Sequence, residues 1–233
     1  MARTPKTKTP SPRKPPARPR SSRRPGPTGK RERNKARTKE KILAVALELF
    51  RKHGLEGTTT KKISKRVGIA EGTLFNYFRT KEELALYFFQ RETENLIAHY
   101  RGDARLASAP LPEKLFALIQ RDLESMAPYE QFIGAVIFRA LQPGSKLHPL
   151  SFESQELRLK RLSFLREILG EAEERGEIPP VGQLGTYALG LFYVGMVAHW
   201  LHDTSEGKGH TLALLDRSLQ LATRFLKQGS WEW

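Results

Sequence analysis

The 233 residues contain no cysteine. Disulfides, thiolate zinc sites and cysteine nucleophiles are therefore excluded, which suits an intracellular, cytoplasmic chain. A second absence is local: from residue 1 to residue 41 there is no Val, Ile, Leu, Phe, Trp or Tyr. A segment without such side chains cannot offset the entropy of ordering its backbone, about 1–2 kcal/mol per residue. Pro5, Pro10, Pro12, Pro15, Pro16, Pro19, Pro25 and Pro27 lie in the same stretch. Residues 1–36 are expected to be a disordered, basic, proline-rich tail. The same lack removes the apolar core of a signal peptide and the amphipathic face of a transit peptide.

Acidic residues are also scarce there. The first 37 residues hold 14 Lys or Arg and one acid, Glu32, so 14 − 1 = +13; the remainder holds 26 basic and 24 acidic residues, so +2. Almost all of the formal charge of +15 is a property of the tail. Such runs act either as arms on polyanions or as plain solubilising extensions.

From Thr38 onward the spacing is helical. Ile42, Leu43, Ala46, Leu49 and Phe50 share one face, with Thr38 as the expected cap and Gly54 as the stop. Thr80 and Glu83 form a capping box for a later helix. Further helices are expected over 112–126, 130–141, 152–177, 181–202 and 210–227. No stretch alternates with period two, so the fold class is all-α. The run 185–201 is apolar on most sides, but its 17 residues sit at the lower bound of a span and it ends in polar residues. It is expected to lie in a core or subunit interface, with no membrane involved.

Enzyme signatures are missing: no Gly-rich phosphate loop, nucleophile elbow or HExxH is present. His199 and His202 stand three apart beside Asp203, a spacing common at helix ends. No catalytic residue, metal or cofactor is expected.

The stretch "VGIAEGTLFNYF", residues 67–78, carries the functional signal. Gly68 suits a turn of positive φ, where a side chain is strained. Ile69 plugs the core beneath it, and Leu74 and Phe78 face inward with Phe50, Ile63 and Val67. The opposite side carries Glu71, Gly72, Thr73, Asn76 and Tyr77. Two short helices with a tight turn form a helix-turn-helix, whose second helix enters the DNA major groove by its first turn. A small first turn lets that helix approach base edges.

At this point "RTKEKILAVALELFRKHGLEGTTTKKISKRVGIAEGTLFNYFRTKEEL", residues 37–84, resembles the N-terminal domain of tetracycline-repressor-type (TetR family) transcriptional regulators. ILxxALxLFxxxG, the Thr pair and GTLxxYFxxKEEL carry the likeness. The resemblance implies a helix-turn-helix domain at 37–84 and a helical effector-binding and dimerisation domain at 85–233. It also implies a homodimer that represses transcription from a palindromic operator and is released by a small, largely apolar effector.

By the same resemblance, Thr59 and Thr60 begin the second helix against phosphate. Ala70, Glu71, Gly72, Thr73 and Asn76 lie over base edges, and Tyr77 and Lys81 touch the DNA backbone. Lys61, with Lys62, Lys65 and Arg66, adds positive charge. Ala70 stands where a capping Ser is frequent, and Phe75 where Tyr is usual. The last two helices are the expected dimer seam, with Leu212, Leu215, Leu219, Ala222 and Leu226 as its stripe. Phe116, Met126, Phe132, Phe138, Phe192, Tyr193, Met196 and Trp200 are candidates to line the effector cavity; ordinary core is the alternative for each. The arm adds phosphate contacts or reaches a minor groove, with Arg18-Pro19-Arg20 as the candidate, and a nucleoid-associated location is expected; a different reading is a nonspecific architectural DNA-binding protein driven by the arm.

Overall fold

The computed structural model describes residues 27–148 and 150–228. Residues 1–26, with Arg18, Pro19 and Arg20, lie outside them. The described residues hold helices and no strand. The chain divides into two units after Thr38.

The first helix, α1 (Pro27–His53), starts well before Thr38. Thr38 does not cap it: within the helix its Oγ1 donates to the Asn34 carbonyl at 2.9 Å. The expected tail boundary at 36 therefore moves back for residues 27–36. The reason is local. Lys, Arg, Glu and Ala are good helix formers, and Pro at the first helical position costs no hydrogen bond. Extending a helix adds one bond per residue, whereas nucleating one does not.

From Lys39 on, α1 packs with α2 (Thr60–Val67), α3 (Glu71–Phe75) and the start of α4 (Lys81–Gly102). Ile42, Leu43, Phe50, Ile63, Leu74, Leu84 and Phe88 are wholly buried. Fully burying each such side chain is worth about 1.5–3 kcal/mol. Thr80 caps α4, accepting from the Glu83 backbone N–H. Glu83 reaches back to the Arg79 N–H at 2.7 Å, one residue before the cap.

The remaining helices are α5 (Ala104–Ser108), α6 (Leu111–Met126), α7 (Glu130–Ala140), α8 (Gln155–Glu174), α9 (Gly182–His202) and α10 (Gly209–Gln228). A short helix, α5, precedes the expected helix at 112; Asp103 caps it by accepting from the Arg105 and Leu106 N–H groups. Four aromatic rings tie the first helices to the rest. Phe50 of α1 stacks on Phe132 of α7, and Phe88 of α4 meets Phe132 and Tyr129 edge-on.

Two apolar stripes remain uncovered. On α9, Leu184 and Leu191 are 81% and 73% exposed, with Tyr187 and Val194 between and beyond them. On α10, Leu214, Leu221 and Phe225 are exposed. This corrects the expected seam residues: Leu215 and Leu219 are buried within the protomer and Leu212 and Leu226 half-buried, because α10 packs that face against α6. The α9 helix is long and apolar enough to cross a membrane by length and composition, and only 22% of its most apolar window is buried, so it is not a core helix of the protomer.

Candidate nucleic-acid interface

Thr59 caps α2, its hydroxyl accepting from the Lys62 N–H at 3.2 Å. Gly68 ends the helix at φ +80°, in the left-handed region that L side chains avoid. Its N–H and that of Ile69 both donate to the Ser64 carbonyl. Lys41 closes the same end by donating to the Val67 carbonyl at 2.9 Å. The turn then delivers α3, whose cap, Ala70, makes no side-chain hydrogen bond. A cap worth about 1 kcal/mol is absent. Packing replaces it: Leu74 is wholly buried and Phe78 nearly so.

The outward edge of α3 is open. Ala70, Gly72, Thr73 and Asn76 are exposed, while Glu71 and Tyr77 are half-buried. A Cβ added at Gly72 would meet no atom within 4 Å, so the protein's own packing does not demand glycine there. Phe75 adds a half-exposed ring beside this edge. Thr59 and Lys61 are exposed at the start of α2.

Three of the expected contact residues are engaged in ways the sequence did not reveal. The Thr60 hydroxyl donates to Glu71 at 2.7 Å, joining the starts of α2 and α3. Lys81 Nζ donates to the Leu55 carbonyl at 3.1 Å and to Glu56 Oε2 at 2.9 Å. Glu56 is also held by Arg139 of α7, at 2.6 Å. The hydrogen bond from Lys81, aided by the charge of Arg139, holds the Glu56 carboxyl below the usual carboxylate range despite some burial.

A second junction fastens α1 to α4. Glu40 accepts from the Tyr87 hydroxyl at 2.7 Å and from Arg91 at 2.9 Å. Burial, then the hydrogen bond to Glu40, pushes the Tyr87 phenol up to about 12. These bonds fix the angle between the helix before the head and the helix after it.

The expected effector residues do not meet in one place. Phe132 and Phe138 border an open groove of about 800 Å³, with Ile137, Leu141, Leu201 and Arg51. Phe138 is 70% exposed there. Phe116 borders a separate groove of about 460 Å³ between α6 and α10. Met126, Met196 and Trp200 are buried in the core, and Phe192 is half-buried against it.

Tyr193 belongs to a polar cluster that apolar periodicity could not reveal. Its hydroxyl donates to Asp122 Oδ2 at 2.5 Å, and Arg161 donates to the same oxygen at 3.3 Å and to Thr93 Oγ1 at 2.9 Å. Asp122 is buried, and its Oδ1 has no hydrogen-bond partner. Helices α6, α8 and α9 thus meet at one buried carboxylate, and Arg161 ties α4 to them through Thr93. Near the end of α9, His199 Nδ1 lies 2.9 Å from Thr211 Oγ1, and Asp203 accepts from Thr211 and Ser205. No metal-holding group of three or more such residues occurs among the described residues.

Residues 42–88 match the family model described as bacterial regulatory proteins, tetR family. An HTH-type transcriptional regulator of Staphylococcus aureus is 33% identical over 63 residues, 27% of this chain and 34% of that protein. The match thus spans about a third of that relative's length. Two solved structures share the fold over most of their length. Thermus thermophilus FadR in complex with lauroyl-CoA has a TM-score of 0.63 and 23% identity, covering 82% of this chain and 94% of that one. Bacillus subtilis FadR in complex with stearoyl-CoA has a TM-score of 0.57 and 22% identity, covering 80% and 96%. The helix-turn-helix head, residues 42–88, is thus the part of the chain that matches the tetR family of bacterial regulatory proteins.

Proposed function

We propose that this protein is a cytoplasmic transcriptional repressor that reads a palindromic operator as a homodimer and lets go when a small, largely apolar effector binds. One observation carries the reading: Gly72, Thr73 and Asn76 stand together on the open edge of a helix that Gly68 and Leu74 hold in place. Small and hydrogen-bonding side chains there suit base edges, while Thr59, Lys61, Tyr77 and Lys81 suit the phosphates on either side.

The uncovered stripes of α9 and α10 support dimerisation. Leu184, Tyr187, Leu191 and Val194 on α9 fall three or four apart, and Leu214, Leu221 and Phe225 on α10 seven and four apart, the spacing of one helix face, and a patch of that kind seeks a partner. A symmetric pair would set two copies of α3 one DNA turn apart, about 34–36 Å. The groove beside Phe132 and Phe138 supports the effector reading. It is of ligand size, is lined by apolar side chains together with Arg51, Glu130, Gln131 and His202, and touches both α1 and α7. A ligand seated there would favour one orientation of the head over another.

The test is selection from a random duplex pool followed by footprinting. A dyad-symmetric site with two protected half-sites one turn apart supports the proposal. Equal binding to all duplexes would instead favour the nonspecific reading. Lauroyl-CoA, the ligand of the Thermus thermophilus relative, is the first effector to add. Release of the selected duplex supports an acyl-chain effector, and unchanged binding rules that class out.

A further inference from the structure

Lys81 opens α4 at the rim of the head, and in the protein alone its ammonium is occupied. It donates to Glu56 Oε2 at 2.9 Å and to the Leu55 carbonyl at 3.1 Å. Glu56 is 71% exposed, so its carboxylate stands in water at the point where a DNA phosphate would meet Lys81. Its other oxygen accepts from Arg139 Nη1 at 2.6 Å, and Arg139 Nη2 lies 3.1 Å from Glu82 Oε1. Four charges form a row: Lys81, Glu56, Arg139, Glu82. Two come from the start of α4, one from the loop after α1, and Arg139 alone from α7.

Phosphate and Glu56 compete for the same cation. When Lys81 turns to phosphate, Glu56 loses one of its two positive partners and faces a second anion. Arg139 is the group already placed to neutralise it. We infer that Arg139 is a positioning residue for DNA binding: by holding Glu56, it makes Lys81 available to the phosphate. The inference rests on the proposed phosphate contact of Lys81.

The row also gives α7 a lever on the head. Phe132 and Phe138, on the same helix, border the open groove. Any shift of α7 that lengthens the Arg139–Glu56 pair leaves Glu56 to hold Lys81 and to repel DNA. Exposed ion pairs are individually weak, so the lever is a modest one and acts in each protomer.

The experiment measures affinity of the full chain for a duplex it has selected, at fixed salt, with unfolding midpoints measured in parallel. Glu56→Gln removes the competitor and is expected to tighten binding about three- to fivefold, the size of an exposed pair or two. Arg139→Gln is expected to weaken it by a similar factor. The discriminating result is in the double variants. With Glu56→Gln in place, Arg139→Gln has no further effect, and with Lys81→Gln in place, Glu56→Gln loses most of its gain. An equal loss from Arg139→Gln in both backgrounds, or a Glu56→Gln variant that binds no tighter, overturns the inference. The Glu56 arm decides the matter even if an Arg139 variant folds poorly. Lys81→Gln alone separates the two levels. No loss of affinity sinks the phosphate contact itself, while a loss with Glu56→Gln silent sinks only the role of the row.

Discussion

Phe50 of α1 lies face to face with Phe132 of α7, ring centroids 4.8 Å apart and planes inclined by 4°. Both rings are wholly buried, and Phe88 closes the cluster from α4. The helix-turn-helix head is thus bolted to the later helices through aromatic rings rather than through a flexible link. Phe132→Ala is expected to cost about 3–5 kcal/mol in urea unfolding, since the cavity opens where three helices meet. A cost below about 1 kcal/mol would mean the stack is not a joint.

Gly72 separates stability from function. It lies inside α3 with open space around it. Alanine there is expected to raise stability by up to about 1 kcal/mol, through helix propensity, and yet to weaken DNA binding by crowding the approach. Thermal unfolding and gel shifts of Gly72→Ala check both halves. A variant that binds DNA as well as the parent would show that α3 does not come close to the duplex.

The Asp122 cluster is a stability element at least. Asp122→Ala leaves Arg161 and Tyr193 without their shared partner, and about 3 kcal/mol of destabilisation is expected. Chemical denaturation measures it. Arg161 keeps some access to water, which sets the expectation at the low end of the range for buried pairs.

Acid should loosen the molecule in a definite window. Burial pushes the Glu171 carboxyl up, but hydrogen bonds from Tyr100 and Lys114 outweigh it and hold the group below its ordinary value of 4.5. Glu40 is lowered in the same way, burial being outweighed by Tyr87 and Arg91. A carboxylate depressed in the folded state binds fewer protons there than in the unfolded state, so it contributes stability above about pH 4.5 and loses it as pH falls further. Unfolding midpoints measured from pH 7 to pH 3 should therefore fall mainly at the acid end. Glu171→Gln should flatten that fall.

Leu191→Glu and Phe225→Glu place charges on the uncovered stripes of α9 and α10. Each is expected to shift sedimentation from dimer to monomer while leaving the helical content unchanged, because Leu191 and Phe225 are 73% and 59% exposed. A parent chain that sediments as a monomer would remove the proposed seam.

The head was legible because its chemistry is local. Gly68 needs its neighbours only, and the spacing of Ile42, Phe50, Ile63, Leu74 and Phe78 marks a single small core. The start of α1 was not legible, since residues 27–38 lack the apolar side chains by which a packed helix is recognised and extend one nucleated further along. The stripe on α10 misled for a related reason. Periodicity finds an apolar face but cannot tell a face turned to α6 from one left exposed on the protomer, and this helix has both. The row from Lys81 to Arg139 was invisible because Glu56 and Arg139 are 83 residues apart. Among apolar neighbours on α7, Arg139 gave only the hint of a lone charge.

The measurement that bears most directly on the DNA-reading edge is a competition assay. It sets the selected duplex against a scrambled one, using the parent chain and the Thr73→Ala/Asn76→Ala variant. The parent is expected to prefer its site by about a thousandfold or more, and the variant to lose most of that preference with its unfolding midpoint unchanged. Undiminished preference in the variant, or none in the parent, would contradict the assignment of sequence reading to the open edge of α3.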